Sequence, residues 1–320
     1  MLVSDEEAVD QLLAHKHFVP NRTPFQLFNR ATDPLLPNVK THTFAIIDRL
    51  DREGLSNHLL IISRFRVDPA DCDRFNAVRH LRLTLLFTHS GIDDIRIEPI
   101  PSSIAAESIR TATQHARNYR VINYWRPLVP GLNDTEHHLA RAAELASIAH
   151  ATAFTGLFFR EEIRAYYETH DLPTPFGLTA RRKILPEAFE HRVLTYFNKA
   201  GLLHKLFRKT SCAVSFAHGL PDYNGHYCIR EICDICPAQQ VARCAAAHAS
   251  PDINAVHDLA TSLGSTTTPQ VTDRAIFVRG LDEQRRYRLQ HHFGYQVHDP
   301  QYPHRFKQHG RAAIGWQSDD

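Results

Sequence analysis

Five of the six cysteines in this 320-residue chain fall in one short stretch, spaced Cys212-x15-Cys228-x4-Cys233-x2-Cys236-x7-Cys244. A CxxC turn aims two thiolates at one point and outlying cysteines complete a tetrahedral set, so the pattern is that of a metal site. Spacing alone leaves zinc and an iron–sulfur cluster both open. Five thiols exceed the four that a closed site takes. The expected ligands are Cys212, Cys233, Cys236 and Cys244, with Cys228 a bystander or a substitute. Structural disulfides fit less well, because six cysteines are few for this length and the opening residues do not read as a secretory leader. His218 and His226 flank the group and could replace a thiol, but there are sulfurs enough for all-cysteine ligation.

Other reactive side chains give weaker patterns. His137 and His138 are adjacent, so on a helix their rings diverge and read as solvated surface. Neither a nucleophile elbow nor an HExxH motif occurs, which removes support for ordinary hydrolysis. Near the end, Arg279, Arg285, Arg286, Arg288, Arg305, Lys307 and Arg311 interleave with Tyr287, Phe293, Tyr302 and Phe306. That mixture could meet nucleic acid, although neighbouring acidic residues offset the charge and a solvated helix face is the expected account.

The elements that must position these residues follow from hydrophobic periodicity. Short β-branched and aromatic runs at 25–28, 58–63, 81–87, 120–124 and 154–159 read as strands. Helical patterns at 39–53, 69–78, 102–117 and 134–149 separate them, which is the alternation of a parallel α/β sheet. Each strand run ends in polar residues, and in such folds the carboxyl ends gather on one face. Beyond residue 160 the sequence predicts helices over 161–168, 186–200, 251–264 (Ser250 as cap, Pro251 first) and 282–292. It also predicts strands over 206–216, 275–279 and 294–297. With 43% apolar residues and a formal charge of +2, the chain can bury a substantial core and does not demand a nucleic-acid partner. No apolar run has the length of a membrane span, and the cytoplasm is the expected location.

Three stretches in order, Phe28-Asn29-Arg30-Ala31-Thr32-Asp33-Pro34, Ile97-Glu98-Pro99 and Arg126-Pro127-Leu128-Val129-Pro130-Gly131-Leu132-Asn133-Asp134, resemble the radical S-adenosylmethionine superfamily. The branch they are similar to is that of spore photoproduct lyases and their DNA-repair-photolyase-like relatives. The resemblance covers about residues 20–160. It implies a partial parallel (β/α) barrel over residues 1–170, here lacking its first strand, then a connecting helix and cysteine-rich metal-binding region over 171–250. A small α+β extension occupies 251–320. It further implies reductive cleavage of S-adenosylmethionine by a 4Fe–4S cluster, with a flavodoxin or ferredoxin as electron donor and an unknown substrate.

By the same resemblance, Asn29 and Thr32 approach the cofactor's amino group, Ser63 and Arg64 grip its carboxylate, and Thr88 and Ser90 bond the ribose. Arg126 is a second basic contact, and the backbone around Gly156 meets adenine. The family's cluster is held by CxxxCxxC, a motif this sequence lacks. The expectation is a truncated or late-started form of a radical enzyme, or a short form that has lost that chemistry. Family context favours an auxiliary 4Fe–4S cluster at Cys212, Cys233, Cys236 and Cys244. The alternative is a zinc-stabilised binding protein, associated with nucleic acid.

Overall fold

A computed structural model describes residues 3–28, 31–180 and 183–301. Helix α1 (Asp5–Leu13) starts at Ser4, whose hydroxyl accepts the Glu7 N–H at 3.2 Å. Strands and helices then alternate: β1 (Phe25–Gln26), α2 (Pro37–Arg52), β2 (His58–Ser63), α3 (Pro69–Ala77), β3 (Arg82–His89), α4 (Ser102–His115), β4 (Arg120–Leu128), α5 (Glu136–Ile148) and β5 (Ala151–Gly156). After α6 (Glu161–Thr169) and α7 (Glu187–Lys199) come β6 (Leu206–Phe207) and α8 (Thr210–Ala217). The chain continues through α9 (Arg230–Cys233), α10 (Ala238–Ala247), α11 (Ile253–Ser262), β7 (Gln270–Val271), β8 (Ala275–Phe277), α12 (Glu283–Phe293) and β9 (Gln296–His298).

Strands β1 to β6 form one sheet in sequential order, every neighbouring pair parallel. Right-handed crossovers in an unbroken order put all crossover helices on the same face, which is the partial-barrel arrangement rather than a doubly wound sheet with a switch point. Burial agrees. Leu59, Ile61, Leu83, Leu85, Phe87 and Val121 share a core with Phe44 and Ile47 of α2, Phe75 of α3 and Ile109 of α4. The alternate residues Leu60, Leu86, Ile122, Tyr124, Ala151 and Ala153 face the other way, onto Cys212, Ala213 and Val214 of α8 with Ile229 and Ile232. Both faces are therefore covered, which is why the central strands read as continuous apolar runs.

The expected strand over 206–216 is only two residues long. It gives way at Arg208 and Lys209 to α8, whose apolar residues pack on β4 and β5. The sheet thus draws its sixth strand from beyond residue 170. Two smaller corrections concern ends: the fifth strand is Ala151–Gly156, earlier than expected, and α11 is capped by Asp252, whose side chain accepts the Ala255 N–H at 2.8 Å, not by Ser250.

The last segment has its own core of Val256, Ala260, Ile276, Val278, Leu281, Leu289, Tyr295 and Val297. It docks on the turn after α8. His291 Nε2 lies 3.0 Å from Asn224 Oδ1, and Gln296 Nε2 donates to the Asn224 carbonyl at 2.5 Å. Gly225, at φ +71°, lies so close to Gly294 that a Cβ would overlap that carbonyl.

Candidate functional site

Polar residues collect at the carboxyl ends of the strands, around three cavities. The first, about 20 Å³, is lined by Cys212, Cys233, Cys236 and Cys244 together with Asp222, His226, Arg208 and Gln240. The four expected thiols thus converge from α8, α9, the following turn and α10. Cys228 is exposed, and Cys72 lies buried in α3. Among the described residues, three metal-binding atoms come within 4.8 Å of one another only at Cys212, Asp222 and His226. The four sulfurs line one space.

Burial drives all four thiol pKa values up, with neighbouring charges adding to it. Cys212 is held well above the ordinary range by burial and then by Asp222, while Cys233 is pushed up to about 11 and Cys236 to about 12. Cys244 is raised by burial too. Its sulfur receives the Asp222 N–H and the Gln240 side-chain N–H, each at 3.5 Å. A metal binding here has protons to displace, since thiolate is the ligand form.

The CxxC turn is anchored through Arg208. Its Nε donates to Glu190 Oε1 at 2.5 Å, and its Nη1 and Nη2 both reach the carboxylate of Asp234, which stands between Cys233 and Cys236. The side chains of Arg208 and Glu190 are 3% and 2% exposed, so the pair is removed from solvent. His226 is fixed by Asp222, whose Oδ2 lies 2.9 Å from both the ring Nδ1 and the backbone N. His218 is turned elsewhere, its Nε2 2.9 Å from Thr84 Oγ1 and its ring against His58.

The second cavity, about 480 Å³, is lined by Arg64, Glu98, Arg126, Gly156, Arg160 and Lys183, among others. Three of the residues assigned to cofactor by resemblance, Arg64, Arg126 and Gly156, meet here. Arg64 pairs with Glu98 at 3.5 Å; burial holds the Glu98 carboxyl above its usual range, with Arg64 opposing. Gly156 is required: a Cβ would overlap the Ile184 carbonyl, where Leu157 and Ile184 exchange hydrogen bonds of 3.1 and 2.8 Å.

The other assigned residues that the structure describes do not line this cavity. Ser63 is buried and donates to Asp33 Oδ1 at 2.7 Å, while Asp33 Oδ2 accepts the Arg64 N–H at 2.9 Å. Thr88 and Ser90 are buried at the end of β3, Ser90 Oγ lying 3.1 Å from Ser102 Oγ. Thr32 is exposed, and Asn29 lies outside the described residues. In the late basic region, Tyr302, Arg305, Phe306, Lys307 and Arg311 also lie outside them. Arg286 is buried and donates to the Leu281 carbonyl at 2.6 Å, so it is no part of a charged surface.

The third cavity, about 310 Å³, adjoins both others and brings together residues that the sequence reading passed over: Tyr124, Lys183, Arg208, Lys209 and Thr210. The Tyr124 hydroxyl accepts from Thr210 Oγ1 at 3.1 Å, and the Arg126 guanidinium lies 4.1 Å from the Tyr124 ring centre. Burial pushes the phenol pKa up, but Arg126, Lys183 and the Thr210 hydroxyl together bring it below the ordinary tyrosine value. The one sequence signal was a basic pair, Arg208-Lys209, set inside an apolar run.

No family model and no curated protein matches this chain. Among solved structures, a domain of pyruvate-formate lyase-activating enzyme from Bacteroides vulgatus is similar at 17% identity and a TM-score of 0.36, covering 52% of this chain and 88% of that one. Among the described residues no helix is long and apolar enough to cross a membrane.

Proposed function

We propose that this chain is a large part of a radical S-adenosylmethionine enzyme, with an auxiliary 4Fe–4S cluster on Cys212, Cys233, Cys236 and Cys244. The observation that carries the reading is the gathering of four cysteines around one small cavity. A zinc tetrahedron takes all four sulfurs onto one ion at about 2.3 Å, whereas a cluster offers each thiolate its own iron. Such a cluster supplies one-electron chemistry when bound.

The chain's own residues supply placement. Arg208 fixes the CxxC turn through Asp234. The N–H groups of Asp222 and Gln240 point at Cys244, and hydrogen bonds to ligand sulfur are among the features that set a cluster's potential. Arg64 and Arg126 face the larger cavity, where a guanidinium fork suits the carboxylate of S-adenosylmethionine. The cofactor-cleaving cluster requires CxxxCxxC, which the 320 residues do not contain. The radical step is therefore assigned to a form that supplies that loop.

Anaerobic reconstitution of the full chain with ferrous iron and sulfide tests the reading. About four irons per chain, a brown chromophore, and loss of both on Cys212→Ala or Cys236→Ala are expected. Colourless protein with one zinc would overturn it. That zinc outcome has its own support, because the ligand atoms of Cys212, Asp222 and His226 are close enough for a single ion. Against it, Asp222 and His226 already bond to each other.

A further inference from the structure

The 310 Å³ cavity at the ends of β4 to β6 is lined by basic and hydroxyl groups. Lys183, Arg208 and Lys209 line it, with hydroxyls from Tyr124, Thr155, Thr210, Ser211 and Tyr223, and no carboxylate does so among the described residues. Arg208 is already neutralised by Glu190 and Asp234. Lys183 and Lys209 are not: neither side-chain amine is in an ion pair or hydrogen bond among the described residues, although Lys209 is only 8% exposed. Burial is the main force holding the Lys209 amine well below the usual lysine range; Lys183 adds to it, and Cys212 and Asp222 oppose it.

Removing an ammonium from water without a counter-charge costs several kcal/mol. Two amines in one cavity, neither held in an ion pair among the described residues, form a site that an anion would complete by restoring the charged form that burial disfavours. The volume is that of a small-molecule pocket. Its position is equally specific. It shares Arg208 and His226 with the sulfur-lined cavity, and Lys183 and Phe158 with the 480 Å³ cavity that holds Arg64 and Arg126.

We infer that this cavity binds the anionic oxygen group, carboxylate or phosphate, of a small-molecule substrate between the Lys183 and Lys209 amines, with the Thr210 and Tyr124 hydroxyls alongside. Its description as a substrate site rests on the reading of the neighbouring cavities given above. The anion binding itself does not.

Isothermal titration of the full chain, in the metal state in which it is purified, uses inorganic phosphate and succinate as separate probes, with S-adenosylmethionine as a third titrant. Saturable binding of at least one anion is expected. Lys183→Met and Lys209→Met should each weaken it about tenfold or more, as loss of a charge-assisted bond does, while Lys199→Met on the exposed side of α7 leaves it unchanged. The tighter probe tells a phosphate-bearing from a carboxylate-bearing substrate. If Lys209→Met does not fold by circular dichroism, Lys183→Met decides. No saturable binding at millimolar anion, or equal affinity in wild type and lysine variants, overturns the inference. So does S-adenosylmethionine binding that phosphate displaces and the lysine variants lose, which would make this the cofactor's own pocket. Lysine-dependent anion binding in protein that takes up no iron would retain the anion site and remove the radical-enzyme reading instead.

Discussion

Replacing Arg208 by methionine isolates the interaction that ties the sheet to the CxxC turn. Methionine keeps much of the side-chain volume and removes the charge, leaving Glu190 with its carboxylate 2% exposed and its guanidinium partner gone. Breaking one side of a buried pair in this way costs about 3–5 kcal/mol. The second partner, Asp234, is 40% exposed, so its share is at most about 1 kcal/mol after solvent screening. With a urea slope of about 3 kcal/mol/M the midpoint should fall by roughly 1 to 2 M, followed by far-ultraviolet circular dichroism. The double variant Arg208→Met/Glu190→Leu removes both sides of the buried pair and should recover more than half of the loss, a coupling that a double-mutant cycle measures directly. Asp234→Asn should do the reverse: little change in midpoint, but reduced iron uptake, because the turn between Cys233 and Cys236 loses its anchor. A single-variant cost under about 1 kcal/mol, or a double variant no more stable than Arg208→Met, would refute the reasoning.

Three further outcomes follow from local geometry. Gly156→Ala forces a Cβ into the Ile184 carbonyl, so it should part residues 183–185 from β5 and speed amide exchange at Leu157 and Ile184, whose mutual hydrogen bonds would be lost. Asp33→Ala removes the acceptor for Ser63 Oγ and for the Leu35 and Arg64 N–H groups, at a cost of about 2–3 kcal/mol in denaturant unfolding. Burial, then Arg82, lowers the His58 pKa to about 4, with Asp222 opposing. The unfolded chain, titrating near 6.5, takes up a proton that the native state refuses. Stability carried by His58 is therefore complete above pH 6.5 and lost as pH falls toward 4, at about 1.4 kcal/mol per pH unit. Denaturant midpoints at pH 7 and pH 5 should show the loss, and His58→Phe should reduce it by one histidine's share, since burial also lowers His89, His150, His218 and His291.

Much of the sheet was legible because its two covered faces left a simple trace. Strand β2 matches the expected 58–63 run end to end, since Leu59 to Ile62 alternate between two apolar neighbours and a charge on either side would have been buried. The neighbouring placement of Cys233 and Cys236 was legible for a different reason, that a CxxC turn holds its two ends close, whereas Cys212 and Cys244 reach the same cavity through the packing of α8 and α10. The stretch 206–216 was not legible. A short apolar run buried on all sides has no polar face to reveal its period, so strand and helix read alike. Lys183 was hidden in a basic run that looks like surface, and nothing local marks it as lining a cavity. Asp222 looked like a turn residue, and its reach to His226 depends on the close approach of the segments around Gly225.

Helix α8 explains why the legible and illegible parts belong together. Its apolar residues are buried because it is pressed against the face of the sheet opposite the crossover helices, where Leu60, Leu86, Ile122 and Ala153 would otherwise stand in water. The same packing sets Cys212 at the edge of the sulfur-lined cavity and Thr210 against Tyr124. For the chain to pass from β6 into α8 it must turn at Arg208 and Lys209, two cations at the carboxyl end of a buried strand. One is answered within the fold by Glu190 and Asp234. The other lines the cavity with no ion-pair partner among the described residues, so the turn that closes the sheet also sets an amine that an anion can charge beside the thiols.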